Sequence, residues 1–211
     1  MKTLFIFGGK STALEIAETA ALLHPEAPIF HVMGDQEPLS KKNQFPISKL
    51  KARVTDLQGQ GHFILSMANP DLRQDCLNAA LAAGLEPLTL IHPSAFCSPS
   101  ARIGSGCYLA PGAVVSTEAA IGDHSILNYN VTVGHHTATG CHCIFNPGAA
   151  IGGNVQIGER VLVGSNAFLF QGTTIGEDCQ IDALTYIRHD LPSGQVAFGR
   201  QTRIFKRAGF Q

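Results

Sequence analysis

The chain has 211 residues, 45% hydrophobic and 15% charged, which marks a globular protein with room for one large domain or two small ones. Net charge is −1 and no basic stretch is long enough to suggest nucleic acid or an anionic membrane as a partner. No apolar run reaches the ~18 residues of a membrane span, no secretory leader is expected, and the six cysteines form neither a CxxC pair nor a zinc-ribbon spacing, so free thiols and a cytoplasmic location are expected.

In chain order, "TLFIF" (3–7) reads as a short buried strand, followed by a turn at Gly8 and Gly9. "STALEIAETAALL" (11–23) has helical periodicity, with Ser11 or Thr12 as a candidate cap. Strands are expected at 27–33, 62–67 and 85–93. A helix is expected over 69–84, with Asn69 as cap, Pro70 in the first turn and Gly84 at the stop. Alternating strands and helices imply a small Rossmann-like α/β domain with a parallel sheet over residues 1–93.

From residue 97 the pattern changes. A step of six runs from Cys97, Ile103, Leu109 and Val115 to Ile187 and lands on a large apolar residue almost throughout. Thr139 is the polar slot and Phe145 the oversized one. Four residues after each of these positions lies a small or β-branched residue, from Ala101 and Cys107 to Cys179 and Thr185. Two registers held this long define an internal repeat, and internal repeats decide the fold. Each six-residue unit is a short strand plus a corner, and three units make one triangular coil. The large residues fill the interior, and the recurrent glycines are expected to relieve the corner backbone. This reading gives an all-β parallel helix of about five coils over 94–190, with a tail at 191–211. Cys107, Cys143 and Cys179 fall in the small inward slot and read as core.

The positions two and three after each large residue point outward. In "VGHHTATG" (133–140) these are His135 and His136. Eighteen residues on from His135 is Gly153, next to Gly152, so the wall beside this histidine is bare backbone. Glu118 and Asn154 are the stacking neighbours of His136. His124 and His142 are also eighteen apart and are expected to stack as a surface ladder.

The segment "ILNYNVTVGHHTATGCHCIFNPGAAIGGNVQIG", after a strand–helix–strand start, resembles the hexapeptide-repeat, left-handed β-helix acetyltransferases. The branch it resembles contains the sialic-acid O-acetyltransferase-like proteins and the bacterial nucleotide-amino-sugar N-acetyltransferases. The resemblance covers nearly the whole chain, and the left hand of the solenoid comes from it. It implies an acetyl-CoA-dependent transfer to the amine of a nucleotide-linked amino sugar, by direct attack, in a homotrimer. The catalytic positions it implies are His135, Asn128 and His136. Acetyl-CoA would lie at Gly152, Gly153 and Ile144, with Arg200 and Arg203 near its phosphates. The acceptor would lie at Gly8, Gly9, Lys10, Ser11 and Asp35. An imidazole is mostly neutral at neutral pH and can take the acceptor's proton, while N–H groups at Gly152–Gly153 are candidate oxyanion donors.

This chain departs from the family pattern in three places. His136 replaces an acidic residue, for which Glu118 is a candidate substitute. The first turn reads "GGKSTA" rather than a glycine-richer loop, and "GRQTR" (199–203) replaces the family's final motif. An O-acetyltransferase acting on a sugar hydroxyl and an inactive binding homologue are the alternative readings. The histidine spacings do not fit the zinc site of the γ-class carbonic anhydrases, which resemble this solenoid, and no metal is expected.

Overall fold

The computed structural model describes residues 2–57 and 61–199. Five consecutive buried residues, Thr3–Phe7, form β1 at the centre of a parallel sheet. Leu4 and Ile6 pack with helix α1 (Thr12–Leu23), whereas Phe5 and Phe7 pack on the opposite face. A parallel strand covered on both sides must be apolar on both sides, hence the unbroken run. Strands β2 (Ile29–Met33), β3 (Gln44–Pro46), β4 (Gly61–Leu65) and β5 (Glu86–Pro87) complete the order β3-β2-β1-β4-β5, all parallel. Helices α2 (Leu50–Asp56) and α3 (Pro70–Ala82) cover the phenylalanine face. The Asn69 side chain caps α3, accepting from the Leu72 N–H at 2.9 Å, and Gly84 follows with φ 80°. Ser11 precedes α1 with φ 42° and makes no capping bond, so the cap expected at Ser11 or Thr12 does not form. Ser11 instead lines a cavity described below.

The expected strand over 85–93 is two strands. Glu86–Pro87 closes the α/β sheet, while β6 (Leu90–Ile91) already pairs with Tyr108–Leu109 of the solenoid. The chain changes partners at Leu88–Thr89, where the Thr89 hydroxyl donates to the Gly104 carbonyl at 2.8 Å. The boundary expected after residue 93 therefore falls inside the first coil. Val196–Ala197 pairs with Gln180–Ile181, so the solenoid also runs past 190 into the expected tail.

Two-residue strands stack into three parallel faces of six, five and seven strands. Up to the last coil each strand residue pairs eighteen residues on, as Val133 does with Ile151 and Phe145 with Val163, and the last coil closes at sixteen, Gln180 with Val196. The large residues of the repeat form one buried column with the small ones, Cys107, Cys143 and Cys179 included. Burial pushes the Cys107 and Cys143 thiols up to about 12, and each lies within reach of a backbone carbonyl, 3.2 Å to Gly122 and 3.1 Å to Gly158.

The glycines after the large residues do not relieve the corner backbone. Positive φ falls two residues later, on side chains such as His136 (58°) and Asn154 (57°). What those glycines permit is close stacking: a Cβ on Gly134 would stand 2.5 Å from the Gly152 carbonyl carbon.

The seven-stranded face carries the α/β lobe. Tyr108, Ala110, Ile126 and Ile144 pack against Leu4, Ile6 and Ile16, and the Tyr108 and Thr19 hydroxyls meet at 3.1 Å. At one end of this layer the Phe63 ring stacks on His124 at 5.8 Å, and His124 stacks on His142 at 5.1 Å. The ladder expected of these two histidines forms, but it is not a surface feature: His124 is buried beneath the lobe. The buried Arg73 guanidinium of α3 donates to the carbonyls of Met67 (2.6 Å) and His124. Burial, aided by the neighbouring His142 and Arg73, pushes His124 down to about 4. Burial likewise lowers His142, and it lowers Arg73 to about 10.

Candidate functional site

Glu118, His136 and Asn154 occupy one corner position in three successive coils, with φ of 56°, 58° and 57°. Left-handed backbone is uncommon outside glycine and is enriched in Asn, Asp and His. The same slot elsewhere holds His124, Asn130, His142, Asn166 and Asp178, and also Arg160 and Leu184. His136 thus has a backbone reason to be histidine. His135 does not, because it stands one residue before that slot.

The ring of His135 lies over Gly153. A Cβ at 153 would come within 2.6 Å of both Cε1 and Nε2, and Gly153 has no positive φ, so this glycine serves space rather than conformation. The rings of His135 and His136 meet edge to face at 86°, with their Nδ1 atoms 3.0 Å apart. His136 Nε2 is 3.0 Å from Glu118 Oε2. The corner is fixed from both sides: the Asn154 N–H donates to the His135 carbonyl (2.8 Å), and the His136 N–H to that of Thr117 (3.0 Å). The Thr137 hydroxyl donates to the Gly152 carbonyl (2.8 Å) and accepts from the Val155 N–H (3.1 Å).

Other expected residues lie elsewhere. The Gly152 N–H is committed to the Leu169 carbonyl at 2.9 Å, so it is not an oxyanion donor, and Gly153 is left as the candidate. Asn128 is buried on a different corner, its Nδ2 donating to Asn146 Oδ1 at 3.4 Å, and the strand Thr132–Val133 separates it from His135. A single chain does not bring these two together. Ile144 is in the apolar layer under the α/β lobe, away from the histidine corner. Arg200 and Arg203 lie outside the described residues.

The α/β lobe carries a cavity of about 360 Å³. It opens at the carboxyl ends of β1, β2 and β4, where the chain reverses on either side of β1, the place where open parallel sheets take ligands. Gly8, Gly9, Lys10 and Ser11 line it, together with Met33, Glu37, Ser66 and Met67. A Cβ on Gly8 would meet Ser66 Oγ at 2.3 Å, and its φ is 115°, so only glycine fits. His31 Nδ1 donates to the Gly8 carbonyl at 2.8 Å and fixes the turn. Asp35 is outside the lining: its carboxylate accepts from the Ser48 N–H at 3.0 Å, which holds it below the usual carboxylate range. Met33, Glu37, Ser66 and Met67 carry no motif. Only their places at or near the carboxyl ends of expected strands mark them. Among the described residues, no cluster of His, Cys, Asp or Glu is arranged to hold a metal ion, and no helix is long and apolar enough to cross a membrane.

A solenoid of six-residue repeats, with a glycine-flanked histidine outside its stacking column, is the framework of the hexapeptide-repeat acyltransferases. No protein-family model matches the sequence, and no curated protein does. Solved structures do match. The acetyltransferase domain of PglB from Neisseria gonorrhoeae is 30% identical, over 94% of this chain and 96% of that one, with a TM-score of 0.83. A perosamine N-acetyltransferase from Caulobacter crescentus, solved as a variant with CoA and GDP-perosamine, is 28% identical over 93% of both chains, with a TM-score of 0.85. WeeI from Acinetobacter baumannii, at 17% identity over 97% and 100% of the two chains, shares the fold with a TM-score of 0.86. The chain belongs to the hexapeptide-repeat sugar acetyltransferases, enzymes built on a left-handed parallel β-helix.

Proposed function

We propose that this protein transfers the acetyl group of acetyl-CoA to the amine of a nucleotide-linked amino sugar, with His135 as general base. The observation that carries the reading is the exposed His135 ring over the bare backbone of Gly153. The neutral acceptor amine attacks the thioester carbonyl and loses a proton to His135 Nε2. The C–N bond forms, the C–S bond breaks, and the same proton passes to the departing thiolate. The Gly153 N–H is the candidate donor to the oxygen that gains charge on the way.

The cavity of the α/β lobe suits the nucleotide, with Lys10 beside the diphosphate and the Gly8–Gly9 backbone close enough to touch it. In this reading the α/β lobe selects the acceptor and the solenoid carries out transfer. The Caulobacter relative, with CoA and GDP-perosamine bound, supports the acceptor class. We also infer a homotrimer, because the six-stranded face exposes Phe96, Phe168 and Tyr186, apolar surface that a second copy would cover. The free cysteines suit a cytoplasmic enzyme.

The test is thiol release from acetyl-CoA against a panel of nucleotide-linked amino sugars and free sugars, with wild type and His135→Ala. Turnover is expected with an amine acceptor, and the variant should lose it by 100-fold or more, on the order expected for a general base. A variant at the wild-type rate overturns the role of His135. Turnover with hydroxyl acceptors alone overturns the amine.

A further inference from the structure

We propose that Glu118 and His136 are positioning residues that set which nitrogen of His135 carries its proton. The inference rests on His135 being the base, as read above. It starts from what each atom can donate. A carboxylate only accepts, so His136 Nε2, 3.0 Å from Glu118 Oε2, must carry a hydrogen. A neutral His136 then has a bare Nδ1. That atom faces His135 Nδ1 at 3.0 Å, and two bare nitrogens do not attract, so His135 Nδ1 is the donor. A neutral His135 is left with a bare Nε2, the ring atom that lies over Gly153. Donor order therefore runs from His135 to His136 to Glu118 and ends with the accepting nitrogen pointed at the glycine wall.

The chain does not depend on strong Coulomb attraction. The side chains of His136 and Glu118 are 52% and 60% exposed, so the contact between them contributes little to stability. What the pair supplies is direction. Reverse the order, with the hydrogen on His135 Nε2, and the imidazole offers a donor where the acceptor amine needs a base. After proton transfer the arrangement still holds, since imidazolium donates from both nitrogens and the carboxylate lies at the far end of the relay. An acidic side chain directly after His135 would do this in one step. Here it is done in two, with the carboxylate supplied from the coil before through the same left-handed corner slot.

The first measurement needs no activity. Full-length protein labelled with nitrogen-15 in its histidines reports by NMR which ring nitrogen carries the hydrogen. His135, assigned by its loss in His135→Ala, is expected as the Nδ1–H tautomer. An Nε2–H tautomer overturns the proposal whatever the kinetics. The second measurement is kinetic. Glu118→Ala should lower kcat about tenfold, a fraction of the full general-base effect, and leave KM for acetyl-CoA unchanged. Adding His136→Glu to that variant restores a carboxylate within reach of His135 Nδ1 and should recover most of the rate. Glu118→Gln retains an accepting oxygen and should lose less than Glu118→Ala. Unchanged kcat in Glu118→Ala, or failure of His136→Glu to rescue it, overturns the relay. A fully active His135→Ala with the expected tautomer in wild type would overturn the base and not the tautomer.

Discussion

Two pairs of histidines stand on two corners of one solenoid, in surroundings that drive them apart. His124 lies flat between Phe63 and His142, under the α/β lobe, where burial favours the neutral form of both rings. His135 and His136 meet edge to face in solvent and are joined to a carboxylate. His124, His136 and His142 share one backbone slot of the repeat with nearly the same φ. The slot therefore fixes geometry, and the neighbour across the wall fixes chemistry: an aromatic lobe in one case, a glycine and an open face in the other.

The sharpest way to break the comparison is to fill the glycine. Gly153→Ala puts a methyl within 2.6 Å of the His135 ring, which must swing away. Misplacement of about 1 Å at a reacting group costs about 100-fold, so kcat should fall by that order. The ring is exposed and free to move, so the unfolding midpoint should hardly change. Steady-state kinetics and a thermal melt on the same preparation check both. A variant with normal kcat would mean that the imidazole does not work from this position.

The buried pair should instead show itself in stability. His124 titrates at about 4 in the folded chain against 6.5 when unfolded, so the unfolded state binds the extra proton first as pH falls. The stabilisation is fully present above pH 6.5 and is lost on the way down to about pH 4. It amounts to about 2–3 kcal/mol once some solvent relaxation is allowed for. His124→Asn keeps a residue suited to positive φ but removes the ring stack. It should lower stability by about 2 kcal/mol near neutral pH, flatten the acid slope and leave kcat within twofold. Urea unfolding across pH 4–8 measures both, and an unchanged slope would mean that another group carries the acid sensitivity.

The sequence shows the solenoid plainly because its interior admits one large residue every six, and that requirement is local. It shows His135 because Gly152–Gly153 falls eighteen residues on, a relation that the coil length alone determines. It does not show why a glycine recurs directly after the large residues. Spacing marks a corner, but only the stacked coils reveal that the pressure comes from backbone in the next coil rather than from φ. The burial of His124 is equally invisible, because Phe63 and Arg73 reach it from far along the chain. Strand β3 and helix α2 have no clear period and take their form from packing on Phe5 and Phe7. The motif groups Asn128 with His135, but within one chain the two stand on different corners.

Thr139 gives the smallest and most local test. It stands in the large-residue register one strand after the histidines, where Val or Ile would extend the buried column. Its hydroxyl accepts from the Gly122 N–H at 3.1 Å and donates to the Gly140 carbonyl at 3.3 Å. Strand pairing on that side is thin, with only Ala120 and Ala138 in register, so the hydroxyl supplies a rung that the ladder lacks. Thr139→Val keeps the shape and removes both bonds. The added methyl returns about 0.8 kcal/mol at most, while a partly buried N–H left without its acceptor costs about 1–3 kcal/mol. A net loss of about 1 kcal/mol is therefore expected, with kcat unchanged, by chemical unfolding and by thiol release. A more stable variant would mean that water already satisfies Gly122. In that case Thr139 would be explained by its place beside the histidine corner rather than by the column it interrupts.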